Sequence, residues 1–153
     1  MPEIEKSSVI SARAEDLFAF FLDPQNLSKI TPPTVKLTEV EATAPLAKGA
    51  LFSLRGRNGW VRFRWHGRVV EMESPKIMVD EQLKGPFRSF RHTHRFRAID
   101  DRHTLVIDHV EYQPRFGIFG KLANAFFIRR KLRRLFEYRH RKLKELFEPK
   151  TGS

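Results

Sequence analysis

His92 and His94 stand two residues apart in a run that ends Phe90-Arg91-His92-Thr93-His94-Arg95-Phe96, and titratable or amide side chains flank the run on both sides. A strand turns successive side chains to opposite faces, so Phe90, His92, His94 and Phe96 share one face while Ser89, Arg91, Thr93 and Arg95 share the other. Asp80 and Gln82 have common parity before the Gly85-Pro86 turn, as Asp108 and Tyr112 do after the turn at Asp100 to His103. With Gln82 across from Phe90, Asp80 faces His92. A carboxylate beside an imidazole fixes a tautomer and shifts a proton affinity, and here it predicts a raised pKa for His92. Such a set orients the polar end of a ligand or moves a proton next to a carbonyl. A buried polar network that satisfies only itself is the competing reading. A slip of one residue at Asp100 to His103 puts His109 and Glu111 inward in place of Asp108 and Tyr112.

The two histidines also offer zinc ligands, with Asp80, Asp108 or His66 as a third. Two ligands outside a fixed motif are too few, so no metal and no other cofactor is expected. Trp60, Phe63 and Trp65, with Phe52, Phe90 and Phe96, supply aromatic surface for either a packed core or a ligand cavity of roughly 300 to 1,000 Å³. A Gly-rich phosphate loop, a nucleophile elbow and an HExxH motif are all missing from the sequence. Whether the chain is an enzyme is left open by the residues, with binding the first reading.

Elements must hold these residues in place. Glu3 to Ile10 reads as a strand, Ser11 as the nearest N-cap, and Ala14 to Leu22 as a helix ended by Asp23-Pro24. Gln25 to Ile30 reads as a second short helix, after which Thr31-Pro32-Pro33 forces extended chain. Further strands are expected at Val35 to Glu41, Ala50 to Arg55, Trp60 to Met72, Ile77 to Leu83, Arg88 to Ala98 and Thr104 to Tyr112. Their short connections imply an antiparallel meander. From Gly117 to Phe147 apolar residues recur by threes and fours, predicting one long helix with Leu122, Ala125, Leu132, Phe136 and Leu143 on its inner stripe. Its outer face carries Arg130, Arg133, Arg134, Arg141 and Lys144.

The 153 residues, 41% hydrophobic with 14 Phe, suffice for one core, so residues 1–148 are expected to form a single domain and 149–153 a frayed tail. No cysteine is present, which excludes disulfides and thiol catalysis and favours a reducing compartment. The start lacks the pattern of a signal peptide and the longest apolar run, Leu17 to Leu22, is too short to span a bilayer, so a cytoplasmic protein is expected. A net charge of +11 favours an anionic partner. The basic run from Arg129 to Lys144, with Phe119, Phe126 and Phe127 upstream, fits peripheral contact with an anionic membrane, or else a solvated face. It lacks the base-stacking motifs of a nucleic-acid module, and no nucleic acid is expected as partner.

Several motifs, taken together, resemble the helix-grip (SRPBCC) superfamily of START domains, pollen-allergen proteins and polyketide cyclases. They are Asp23-Pro24-Gln25-Asn26-Leu27, Trp65-His66-Gly67-Arg68-Val69, Asp80-Glu81-Gln82, Gly85-Pro86-Phe87, His92 to Phe96, Thr104 to Asp108 and Leu135 to Arg139. The chain is most similar to a bacterial branch labelled cyclase/dehydrase. The resemblance implies an α+β helix-grip fold, in which a curved seven-stranded antiparallel sheet wraps a long C-terminal helix and two short helices follow the first strand. It also implies a cavity between sheet and helix for a hydrophobic or amphipathic small molecule. In that cavity Trp65, Phe90, Phe96 and Tyr112 are the expected apolar contacts, and Arg68, Asp80, Gln82, His92, His94 and Asp108 the polar ones. Alternatives are a cyclase or dehydratase, with an imidazole as base and Tyr112 or Arg68 stabilising an enolate, and a lipid or quinone chaperone that docks on anionic membranes.

Overall fold

The computed structural model describes residues 1–149; the expected tail, 149–153, lies outside them apart from Pro149. In chain order come β1 (Glu3–Ile10), α1 (Ala14–Leu22), a 3₁₀ helix (Pro24–Ile30), β2 (Val35–Ala42), β3 (Leu51–Asn58), β4 (Val61–Glu73), β5 (Ile77–Lys84), β6 (Ser89–Ala98) and β7 (Thr104–Gln113). Then follow α2 (Gly117–Ala123), a π-helical turn (Asn124–Ile128) and α3 (Arg129–Phe147). The seven strands form one antiparallel sheet in the order β1-β7-β6-β5-β4-β3-β2. This is the expected helix-grip arrangement, with β2 to β7 a meander and β1 closing on β7.

Local chemistry explains most boundaries. The Asp23 side chain accepts from Gln25 N at 3.0 Å and Pro24 occupies the first turn, so the chain leaves α1 directly into the 3₁₀ helix. Ser11 does not cap α1; Arg13 takes that position with no side-chain hydrogen bond. β3 runs through the expected turn at Gly56, because an added Cβ there would meet Lys36 O at 2.5 Å and the Phe63 ring at 2.9 Å. Only glycine lets β2, β3 and β4 pack so closely at that point.

Two apolar clusters fill the interior. Ile10, Leu17, Phe18, Val69, Phe96 and Leu143 form one, while Ile4, Phe90, Val110, Tyr112, Leu132 and Phe136 form the other. α3 thus contributes Leu132, Phe136 and Leu143 as its inner stripe, as the spacing predicts. Leu122 and Ala125 are exposed instead. The π turn, which contains Ala125 and separates Leu122 from Leu132, holds an extra residue in its loop of hydrogen bonds and rotates the upstream stripe off the sheet. The helix is entered through Phe116, a non-glycine residue at φ 70° that stands 81% exposed. No helix among the described residues is long and apolar enough to cross a membrane.

Candidate functional site

Between the two apolar clusters lies a polar island. β5 and β6 pair with Asp80 opposite His92, and β6 and β7 pair with His92 opposite Val110 and His94 opposite Asp108. This register places Asp108 and Tyr112 inward, and His109 and Glu111 only partly covered on the other face. Side-chain reach then decides the partners. His92 Nε2 donates to Asp108 Oδ1 at 2.7 Å, and His94 Nε2 donates to Asp80 Oδ2 at 3.1 Å. Asp80 therefore faces His92 along the backbone but serves His94.

α3 completes the island with two residues that strand parity could not reveal. His140 Nε2 donates to Asp108 Oδ2 at 2.6 Å, and its other ring nitrogen, Nδ1, is hydrogen-bonded to the Ser8 hydroxyl of β1. Both Asp108 oxygens are thus engaged, and the residue is 2% exposed. His94 Nδ1 lies 3.1 Å from Asp108 Oδ1 without the geometry of a hydrogen bond, so that contact is Coulombic. Arg139, also buried, lays its guanidinium 5.0 Å from the centre of the Phe136 ring.

Charge in the island follows from these contacts. Burial disfavours a charged Asp108, but hydrogen bonds from His140 and His92, with His94 adjacent, outweigh it and hold the carboxyl well below its usual range. Asp80 is likewise lowered, burial being overcome first by its bond from His94. Burial also opposes a charged His94, yet the carboxylates of Asp108 and Asp80 raise it to about 9. His92 moves the other way: burial, reinforced by the neighbouring His94 charge, lowers it in spite of Asp108. The expectation of a raised pKa at His92 through Asp80 is therefore corrected. His94 holds the proton, because it alone lies between two carboxylates.

A cavity of about 950 Å³ opens beside the island, between the sheet and α3. Its sheet wall carries Phe52, Phe63, Trp65, Phe87 and Phe90, its helical wall Ile128, Leu132, Leu135 and Phe136, and Phe20, Phe21 and Leu27 reach it from α1 and the 3₁₀ helix. Trp65 packs edge-on to Phe90 with ring centres 4.7 Å apart. Gly67 makes room for this wall, since a Cβ there would lie 2.2 Å from the Phe52 ring. Asp80, His92, His94 and Arg139 bring the polar island into the lining, Asp23, Asn26, Thr31, Thr34 and Asn58 add polar groups from the other elements, and Lys131, Arg134 and Arg141 stand on the helical wall with Glu137.

The expected site residues divide accordingly. Trp65, Asp80, Phe90, His92 and His94 line the cavity. Asp108 sits behind them, accepting from His92 and His140 with His94 in Coulombic contact. Phe96 packs into the core against Phe18, with ring centres 5.5 Å apart. Gln82 closes the hairpin, its Nε2 donating to Phe87 O at 2.8 Å and its Oε1 accepting from Phe87 N at 3.2 Å. Tyr112 is fully buried and donates its hydroxyl to Asn124 Oδ1 in the π turn. Arg68 is a correction: it is exposed on the outer face, across from Glu81, because Trp65, Gly67 and Val69 take the inward parity of β4. Trp60 is a second, standing 99% exposed at the β3–β4 turn. With Tyr112 and Arg68 both outside the cavity, neither is placed to stabilise an enolate there.

Asp80, His92 and His94 bring three potential metal-ligand atoms within 4.8 Å of one another. A cation there would compete with the proton of His94 and with its bond to Asp80.

Comparison with known proteins places this geometry. The family model described as "Polyketide cyclase / dehydrase and lipid transport" matches residues 10–137. No curated protein matches the chain in sequence. Among solved structures, it is similar to a protein from Chromobacterium violaceum at TM-score 0.77, with 16% identity over 97% of this chain and 99% of the other. A START superfamily protein from Mycobacterium smegmatis superposes at TM-score 0.75, with 12% identity over 95% and 97%. Norcoclaurine synthase from Thalictrum flavum, in complex with dopamine and hydroxybenzaldehyde, gives 0.69, with 12% identity over 99% and 89%. At these identities the likeness to solved structures is one of fold.

Proposed function

The chain belongs to the polyketide cyclase/dehydrase and lipid transport family, and we propose that it binds a hydrophobic or amphipathic small molecule between its sheet and α3, acting in the cytoplasm as one unit of residues 1–148. The observation that carries this reading is the aromatic-walled cavity of about 950 Å³, at the upper end of the range typical of ligand sites, roughly 300 to 1,000 Å³. The space is open to solvent along its helical rim, and its aromatic wall offers a guest apolar surface to bury. Trp65, Phe90 and Phe136 supply contact area. Asp80, His92, His94 and Arg139 orient the polar end.

Native mass spectrometry of the purified protein tests the proposal by looking for a co-purified small molecule. A neutral fluorophore, 1-aminoanthracene, provides the complementary titration. Saturable binding that is lost when Leu54→Trp fills the cavity, with melting temperature kept, is the expected result. Binding unaltered by that substitution would sink the reading.

A second reading, a carrier that docks on anionic membranes, is favoured by one observation. Phe116, Ile118, Phe119, Leu122, Phe126 and Phe127 are all exposed on α2 and the π turn, and Arg129, Arg130, Lys131 and Arg133 follow directly. Apolar side chains beside a block of cations match the interfacial region of a bilayer with acidic lipids.

A further inference from the structure

Arg139 is the buried charge that the polar island does not use. It is 9% exposed, its Nε has no hydrogen-bond partner, and it forms no ion pair within 4.0 Å among the described residues. The nearby carboxylates are already engaged, Asp108 by His92 and His140, and Asp80 by His94. They balance Arg139 in charge at longer range but give its N–H groups no acceptor. Burying Nε without an acceptor is costly, and a guest that accepts there removes that cost. Arg139 lines the cavity, whose lining also carries the cations Lys131, Arg134 and Arg141 against the carboxylates of Glu137 and Asp23.

We infer that the guest is an amphipathic carboxylic acid, bound with its carboxylate on Arg139 and its hydrocarbon part along Trp65, Phe90, Leu132 and Leu135. The inference rests on the binding reading above and names the ligand class. Geometry favours a carboxylate, since the Nε and Nη hydrogens of one guanidinium edge match its two oxygens. A phosphate dianion fits less well, because Asp80 and Asp108 already place negative charge behind Arg139. The cationic rim draws an anion inward, while Phe136 holds the guanidinium plane from the other side.

Displacement of 1-aminoanthracene by dodecanoic acid, methyl dodecanoate and dodecanol tests this at pH 7. In the wild type the acid should bind about ten- to hundredfold more tightly than the ester or the alcohol, the range expected for hydrogen bonds to a charged group. Arg139→Met should erase that preference and leave the ester and alcohol within about twofold of wild type. Arg139→Lys, which keeps the charge but not the fork, should retain part of it. If ester and alcohol match the acid in the wild type, the carboxylate assignment is overturned while the cavity reading stands. If the fluorophore itself does not bind, both fall. An acid preference that survives in folded Arg139→Met removes Arg139 as the contact. Should Arg139→Met not fold, the wild-type ratios together with Arg139→Lys decide the matter.

Discussion

His140 Nε2 donates to Asp108 Oδ2 across 2.6 Å, tying the middle of α3 to the central part of β7 with both side chains out of solvent. Ser8 on β1 fixes the ring through its hydrogen bond to Nδ1. One carboxylate thus joins the terminal helix to three strands, β1, β6 and β7, at the floor of the cavity.

Asp108→Asn should therefore be among the most damaging single changes in the chain. It removes the charge that His92, His94 and His140 address, and breaking a buried ion network from one side costs about 3 to 5 kcal/mol. Urea unfolding is expected to show a fall in unfolding free energy of that size, seen as a lower midpoint with the slope unchanged. A loss below about 1 kcal/mol would mean that the island is water-filled and the network weak.

Stability should peak near neutral or slightly acidic pH and decline on both sides. His94 has a folded pKa raised to about 9, above an unfolded value of about 6.5, so its contribution is complete below about 6.5 and disappears as pH rises through 9. His92, lowered in the fold, acts in the opposite sense: below about 6.5 the unfolded chain takes up a proton that the folded one resists. Asp80 and Asp108, both lowered, add stability above about 3.9 that is lost as pH falls through their folded values. The groups facing His94 are Asp80 on β5, His92 on β6, Asp108 on β7 and, further off, Arg139 on α3. His94→Gln should flatten the alkaline limb between pH 7 and 9.5. An unfolding midpoint whose difference between wild type and His94→Gln does not change over that range would show that His94 is neutral in the folded protein.

Alternation made β6 and its partners legible, because Phe90, His92, His94 and Phe96 obey the strand period without exception. The same rule, applied to β4, separates Arg68 from Trp65; its place beside them in a contiguous motif hid an outward parity. Arg139 and His140 were harder to see. Leu132, Phe136 and Leu143 leave a gap of one turn in the apolar stripe, and 139 and 140 fill it, three and four residues after Phe136. Hydrophobicity marks a face only where it is apolar, so a basic residue in that gap reads as part of the surrounding solvated run. The cavity has no local signal at all, since it depends on the distance between β4 and α3.

Arg68→Gln and Tyr112→Phe separate position in the structure from membership in a motif. Neither residue lines the cavity, so small-molecule affinity should stay within about twofold of wild type in both. Tyr112→Phe should still lower stability by about 1 kcal/mol, the usual net value of one hydrogen bond, through loss of the bond to Asn124. A tenfold loss of 1-aminoanthracene affinity in either variant would place that side chain at the ligand.

Membrane docking gives the last prediction, and the helix supplies two independent handles for it. Phe119 and Phe126 are 76% and 68% exposed on the segment ahead of α3, whereas Arg130 and Arg133 lie outside the cavity lining on α3 itself. Near an anionic bilayer each cation contributes about 1 kcal/mol, with a reach of ~8 Å at physiological ionic strength. Arg130→Gln with Arg133→Gln should thus weaken binding to phosphatidylserine-containing vesicles by roughly 30-fold and leave melting temperature and small-molecule affinity unchanged. Phe119→Ser with Phe126→Ser should weaken it comparably but leave the salt dependence intact, since insertion and charge attraction are separate terms. Wild-type binding is expected to fade as salt rises. If the wild-type protein ignores such vesicles at low salt, the cations are a solvated face, and the exposed phenylalanines serve some other contact.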